Sequence, residues 1–162
     1  MKKKLFALFL ALSLSLSLAA CMKQPVESDA DLGAFYTSLL EDGEWPEMVS
    51  MEDEALNSFY PGLLDVEMEQ CSVSSAAISA VACEIALVEV KNTEDVKTVE
   101  DIFQARVDYQ VGDGNGPGGA FYPETMDTWE NNSRIVSNGN YVMLAVCEDA
   151  DGAVDAFNAL FA

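Results

Sequence analysis

The side chains able to carry chemistry are few in kind. Histidine is absent, which removes His-based triads, mixed His/Cys zinc sites and the commonest general base. Carboxylates are abundant: 28 acidic residues stand against eight basic ones, so the paired acids that glycoside hydrolysis needs arise here by number alone. The glycine-rich run from Asp113 to Gly119 is the nearest approach to a calcium loop. Counted from Asp113, Asn115 falls at position 3, Gly118 at 6 and Glu124 at 12, in the order an EF-hand loop uses. Pro117 takes position 5 and brings no side-chain oxygen, so Asp113, Asn115 and Glu124 make a weak calcium set and the run reads first as a flexible connection. Glu148-Asp149-Ala150-Asp151 gathers carboxylates at a strand-to-helix junction, where helix capping accounts for them without a metal. Trp45, Tyr122, Trp129 and Tyr141 could line a binding groove, because aromatic anchors are enriched at interfaces, and Tyr122, Trp129 and Tyr141 form the candidate binding surface; packing into the core is the competing role. Nothing matches a phosphate-binding loop, a dinucleotide fingerprint or a nucleophile elbow, and no cofactor is expected.

The four cysteines divide by position. Cys21 ends the opening segment MKKKLFALFLALSLSLSLAAC, in which Lys2, Lys3 and Lys4 precede an uncharged apolar run from Leu5 to Leu18. That run is shorter than the roughly 20 residues a spanning helix needs. A basic head, a short apolar middle and small residues before a cut site describe an export signal over residues 1–20. Leu18-Ala19-Ala20-Cys21 resembles the lipobox of bacterial lipoproteins, and the resemblance implies that Cys21 receives a diacylglyceryl group and becomes the first residue of the mature chain. Acyl chains contribute about 0.8 kcal/mol per buried methylene, so such an anchor holds the protein at the membrane without crossing it. With Cys21 lipidated and palmitate-type chains attached, Cys71, Cys83 and Cys147 remain. Cys71 and Cys83 fall on successive predicted strands and are the candidate disulfide. Cys147 lies in an apolar strand and reads as a small buried hydrophobe.

Removal of residues 1–20 takes three of the eight basic residues and leaves a side-chain balance of −23. Such a surface repels nucleic-acid phosphates and anionic headgroups, and no basic stripe offsets it. Nucleic acid is therefore excluded as a partner.

Residues 21–30 form a polar tether and residues 31–162 one domain. Helical spacing predicts a helix over Asp31 to Glu41, closed by Gly43 and Pro46. A second helix is expected from Ser50, whose neighbours approximate a capping box, to Pro61-Gly62. Strands are expected over Leu64 to Val73 and over Glu84 to Lys91, followed by a helix carrying Val96, Val99, Ile102, Phe103 and Val107. Tyr122 to Trp129 reads as a short helix, Ile135-Val136 as a strand and Asn138-Gly139 as a hairpin turn into YVMLAVCED. Asp149 or Asp151 caps a last helix. The order strand, polar cap, helix occurs twice, which predicts an α+β fold: an antiparallel sheet from two ββα-like units, helices on one face, and the N-terminal helices packed around it.

Glu84-Ile85-Ala86, Arg106, Tyr122-Pro123 and Gly139-Asn140-Tyr141-Val142 together resemble the family called domain of unknown function 4358, over most of residues 30–162. Its members look like small bacterial lipoproteins. The resemblance implies a lipid-anchored, extracytoplasmic location and assigns no activity or catalytic residue. The function expected on these grounds is a non-enzymatic binding module of the cell envelope that meets an envelope protein or a small ligand. A carboxylate-based cell-wall hydrolase and a calcium-dependent adhesion module are the alternatives.

Overall fold

The computed structural model describes residues 29–112, 119–120 and 122–162. The expected signal segment, Cys21, most of the expected tether, Asp113 and Asn115 lie outside these residues. Among the described residues no helix is long and apolar enough to cross a membrane.

Two stretches dictate the architecture. EIALVEV over Glu84–Val90 and YVMLAV over Tyr141–Val146 are apolar at both alternations, apart from Glu84 and Glu89. A strand with no polar face must be covered on both sides. These two, β3 and β5, sit at the middle of a five-stranded antiparallel sheet. Beyond β3 come β2 (Met68–Ala76) and the short edge strand β1 (Met48–Ser50), and beyond β5 lies β4 (Ser133–Asn138), giving the order β1-β2-β3-β5-β4.

Side-chain alternation sorts the sheet into two apolar layers. Ala86, Val88, Val142 and Leu144 point to one face, where α2 (Asp53–Phe59), α3 (Val96–Val111) and α4 (Pro123–Asn131) cover them through residues such as Leu56, Phe103 and Trp129. Ile85, Leu87, Met143 and Ala145 point to the other, covered by α1 (Leu32–Asp42) and α5 (Ala150–Ala159) through Leu32, Phe35 and Phe157. The α+β class and the two ββα units are therefore present, while the expectation of helices on one face is corrected. A two-fold axis relating the units would put α3 and α5 on the same face. They lie on opposite faces because β3 and β5 each need cover on both, so the repeat is one of pattern and not of spatial symmetry.

Local boundaries follow local chemistry where a cap decides them. Asp31 caps α1 by accepting from the Ala34 amide at 2.9 Å, and Asp149, the first of the two expected candidates, caps α5 by accepting from Gly152 at 3.0 Å. The β4–β5 hairpin turns at Gly139-Asn140, one residue later than expected, because Asn138 pairs with Tyr141. Gly139 has φ 57° and Asn140 does not enter the left-handed region, the combination that places glycine first in a two-residue turn. Two expectations fail for a tertiary reason. Ser50 does not open a helix; it ends β1, opposite Ser74 on β2, and α2 begins three residues later. The strand expected from Leu64 begins at Met68, since Leu63–Asp65 forms a 3-10 turn that buries Leu63.

Candidate functional site

The end of the sheet where β3 begins and β5 ends concentrates the unusual chemistry. Glu84, the first residue of β3, is buried on the face of α2, α3 and α4 at 2% exposure, and Arg106 on α3 meets it at 5%. The guanidinium binds the carboxylate side-on: Nε donates to Oε1 at 2.9 Å and Nη2 to Oε2 at 2.8 Å. The Tyr60 hydroxyl, wholly buried after α2, donates to the same Oε1. Aromatic rings close around the cation, with Phe59 at 4.7 Å, Trp129 at 5.1 Å and Tyr60 at 5.8 Å from the guanidinium carbon to the ring centroids. The remaining nitrogen, Nη1, is buried without an acceptor. Burial works against the charge on Arg106, but the hydrogen bonds and charge of Glu84 outweigh it and hold the guanidinium above its ordinary pKa. The only carboxylate buried among the described residues thus has both oxygens engaged, which makes the cluster an element of the core.

The same sheet end is open beside this cluster. A cleft of about 730 Å³ lies between the chain after α1, the β2–β3 connection and the first turns of α4 and α5, a size within the range of small-ligand sites. Leu39, Trp45, Val81 and Ala156 give it apolar walls, and Cys83 and Cys147 line it as well. Asp42, Glu44, Glu124 and Glu148 add carboxylates, and no basic residue is among the lining groups. Trp45 is held by its own ring nitrogen, which donates to the Leu39 carbonyl at 2.7 Å and so satisfies one of the free carbonyls at the end of α1. The indole folds back over Gly43 so closely that a Cβ there would collide with it. Of the four aromatics the sequence offers for a groove, Trp45 is the one that lines this cleft, and the Gly-x-Trp spacing after a helix is the further signal that singles it out.

The residues nominated from sequence do not converge. Trp129 is buried on the α3/α4 face against Arg106, Tyr141 is buried on the α1/α5 face, and only Tyr122 is exposed, so the proposed Tyr122, Trp129 and Tyr141 surface is corrected: the sheet separates two of its members. Glu124 stands at the cleft, and Asp113 and Asn115, its partners in the calcium set, lie outside the described residues. Among the described residues no group of three or more potential ligands could hold a metal ion. The Cys71–Cys83 disulfide is also corrected. Cys71 pairs across the sheet with Val88, five residues along β3 from Cys83, a separation of roughly 16 Å at strand spacing, whereas a disulfide needs Cα atoms within about 7 Å. All three described cysteines are free thiols.

A family model described as Domain of unknown function (DUF4358) matches residues 41–147, which includes Tyr60, Glu84, Arg106, Trp45 and both cysteines of the cleft. No curated protein and no solved structure matches the chain.

The Tyr60 hydroxyl gives the cluster a pH signature. Burial first, and the negative charge of Glu84 second, raise its pKa well above the ordinary 10.0. The folded chain then keeps a proton that the unfolded chain releases, so this contribution is intact below about pH 10 and is lost as the pH rises further. Tyr60→Phe should cost about 1–3 kcal/mol at neutral pH, because Glu84 loses a donor. The same variant should show a shallower loss of stability above pH 10 than the parent, measured by urea denaturation across pH; an unchanged alkaline slope would count against the assignment.

Proposed function

This chain belongs to the DUF4358 family, and from that premise we propose that it is a lipid-anchored binding module on the extracytoplasmic face of the membrane, with the cleft at the sheet end as its ligand site. The ligand class is a molecule with an apolar body and a cationic group, such as an amine- or guanidinium-bearing peptide of the envelope. The observation that carries this reading is the composition of the cleft: an indole fixed at one wall, apolar residues around it, carboxylates from three separate segments, and no lysine or arginine in the lining. In a cleft with low-dielectric walls, charges of one sign reinforce each other and raise the local concentration of the opposite ion. The balance of −23 that follows removal of residues 1–20 extends the same field over the surface. Val81 on the β2–β3 connection lines the cleft and is 40% exposed, so it offers further apolar contact to a bound molecule.

The location rests on the opening segment. A basic head, an uncharged run and Leu18-Ala19-Ala20-Cys21 support lipidation at Cys21, and residues 22–30 would space the domain from the bilayer. A strongly acidic domain is repelled by anionic headgroups, which suits a body held away from the surface by its anchor.

Two measurements test the two halves of the reading. Cys21→Ala should move the protein from the membrane fraction to the soluble fraction, and undiminished membrane association would refute the anchor. For the cleft, acetyl-Lys-Phe-amide should change tryptophan fluorescence saturably, more weakly as salt rises, while acetyl-Glu-Phe-amide should not. Glu124→Gln with Glu148→Gln should weaken the response at least threefold and Trp45→Phe should remove it. Equal responses to both peptides, or none to either, would overturn the cationic-ligand assignment.

A further inference from the structure

We propose that Cys83 and Cys147 form a cross-strand pair that closes to a disulfide when the chain meets a disulfide-bearing oxidant, joining the start of β3 to the end of β5 in the wall of the cleft. This goes beyond ligand binding and does not depend on it.

The pairing follows from the sheet register. Glu84 stands opposite Val146, Ile85 opposite Ala145 and Ala86 opposite Leu144, so one further rung sets Cys83 opposite Cys147. Cys83 is still held in the sheet at that rung, since its carbonyl accepts from the Ala76 amide at 2.7 Å. The two kinds of antiparallel rung alternate, and one end of the ladder fixes the phase. The Val90 amide donates to the Asn140 carbonyl at 2.9 Å, which makes that rung a hydrogen-bonded one. Counting along β3 by twos, Val88, Ala86 and Glu84 share that character, and Cys83 falls on the other kind. In rungs of that kind Cα atoms approach to about 4.5 Å and side chains come closest, inside the range that disulfides span. Both cysteines also belong to the same apolar layer, that of α1 and α5, and both line the cleft. They are buried at 5% and 7% exposure, and Cys83 feels Cys147 as an electrostatic neighbour.

The chemistry balances with an external disulfide. One cysteine thiolate attacks a sulfur of the oxidant, forming a mixed disulfide and releasing one thiol. The second cysteine then displaces the other half as a second thiol, so the chain loses two protons and two electrons and the oxidant gains them. Burial pushes Cys83 up to about 12 and Cys147 up to about 11, so thiolate is scarce near neutrality and closure by a small oxidant should quicken about tenfold per pH unit there. The same burial means that the reduced, folded pair holds protons an unfolded chain releases near 9.0, so its contribution to stability is full below that pH and falls as the pH rises towards 11 and 12. Cys71, exposed on β2 and paired with Val88, lies too far along the sheet to join this link.

The test uses the purified full chain equilibrated with oxidised glutathione, followed by alkylation without reduction and peptide mapping. The expected result is one linked peptide pair joining Cys83 to Cys147, with Cys71 absent from any link between peptides, and a melting temperature raised by roughly 10 °C. Cys83→Ser, Cys147→Ser and the double variant should lose that rise equally, and Cys71→Ser should keep it. Full alkylation of Cys83 and Cys147 after oxidant treatment, or a link made through Cys71, would overturn the pairing. Loss of the disulfide with peptide binding intact would separate this inference from the ligand reading.

Discussion

A carboxylate buried at the first residue of a central strand is the constraint around which the molecule is arranged. Glu84 has no access to water, and an uncompensated charge in that position costs several kcal/mol. Only one docking of the surrounding elements answers it. The helix α3 must present Arg106, the segment after α2 must present Tyr60, and Trp129 on α4 must cover the cation. Three elements from separate parts of the chain are thereby fixed against one strand end. A buried ion pair is seldom the most stabilising way to fill such a space, and apolar groups of the same volume often do as well or better. Its effect here is selective: a docking that slips α3 by one turn leaves both charges unpaired in the core.

The residue before Glu84 carries the consequence to the other face. Alternation along the strand sends Cys83 and Glu84 in opposite directions, one to the α1/α5 layer and the other to the α2/α3/α4 layer. The strand end that the ion pair holds is therefore the same one that forms part of the cleft. The cleft itself opens because the layers above it are made from chain ends: the last turn of α1, the first turns of α4 and α5, and a β2–β3 connection of small residues. Trp45, tied to the Leu39 carbonyl, forms a fixed part of its wall.

Much of this was legible from sequence wherever a short-range rule decided the outcome. The strands EIALVEV and YVMLAV, the helical stripe of Val99, Phe103 and Val107, and the Asp31 and Asp149 caps follow from alternation, spacing and capping chemistry. Features set by distant partners were not. β1 is only three residues long and exists because β2 pairs with it, so Ser50 looked like a helix cap. Helices on both faces could have been inferred from the unbroken apolar runs of β3 and β5. Arg106 also left a trace: it falls on the buried stripe of α3, three residues after Phe103, in a chain with only two arginines. Its partner, 22 residues earlier, has no local mark that separates it from an ordinary polar strand end. Trp129 and Tyr141, chosen as surface aromatics from neighbouring turn residues, are core residues because the short elements that carry them pack inward.

A double-mutant cycle at the ion pair is the most direct measure of the central claim. Arg106→Met and Glu84→Leu, each alone, strand a charge in the core and should each cost about 3–5 kcal/mol in urea denaturation. The double variant should recover most of that loss, giving a coupling of several kcal/mol, because two apolar side chains can share the space that the ions occupied. Additive losses in the double variant, or single losses below about 1 kcal/mol, would contradict the view that this pair fixes the docking of α3 on the sheet.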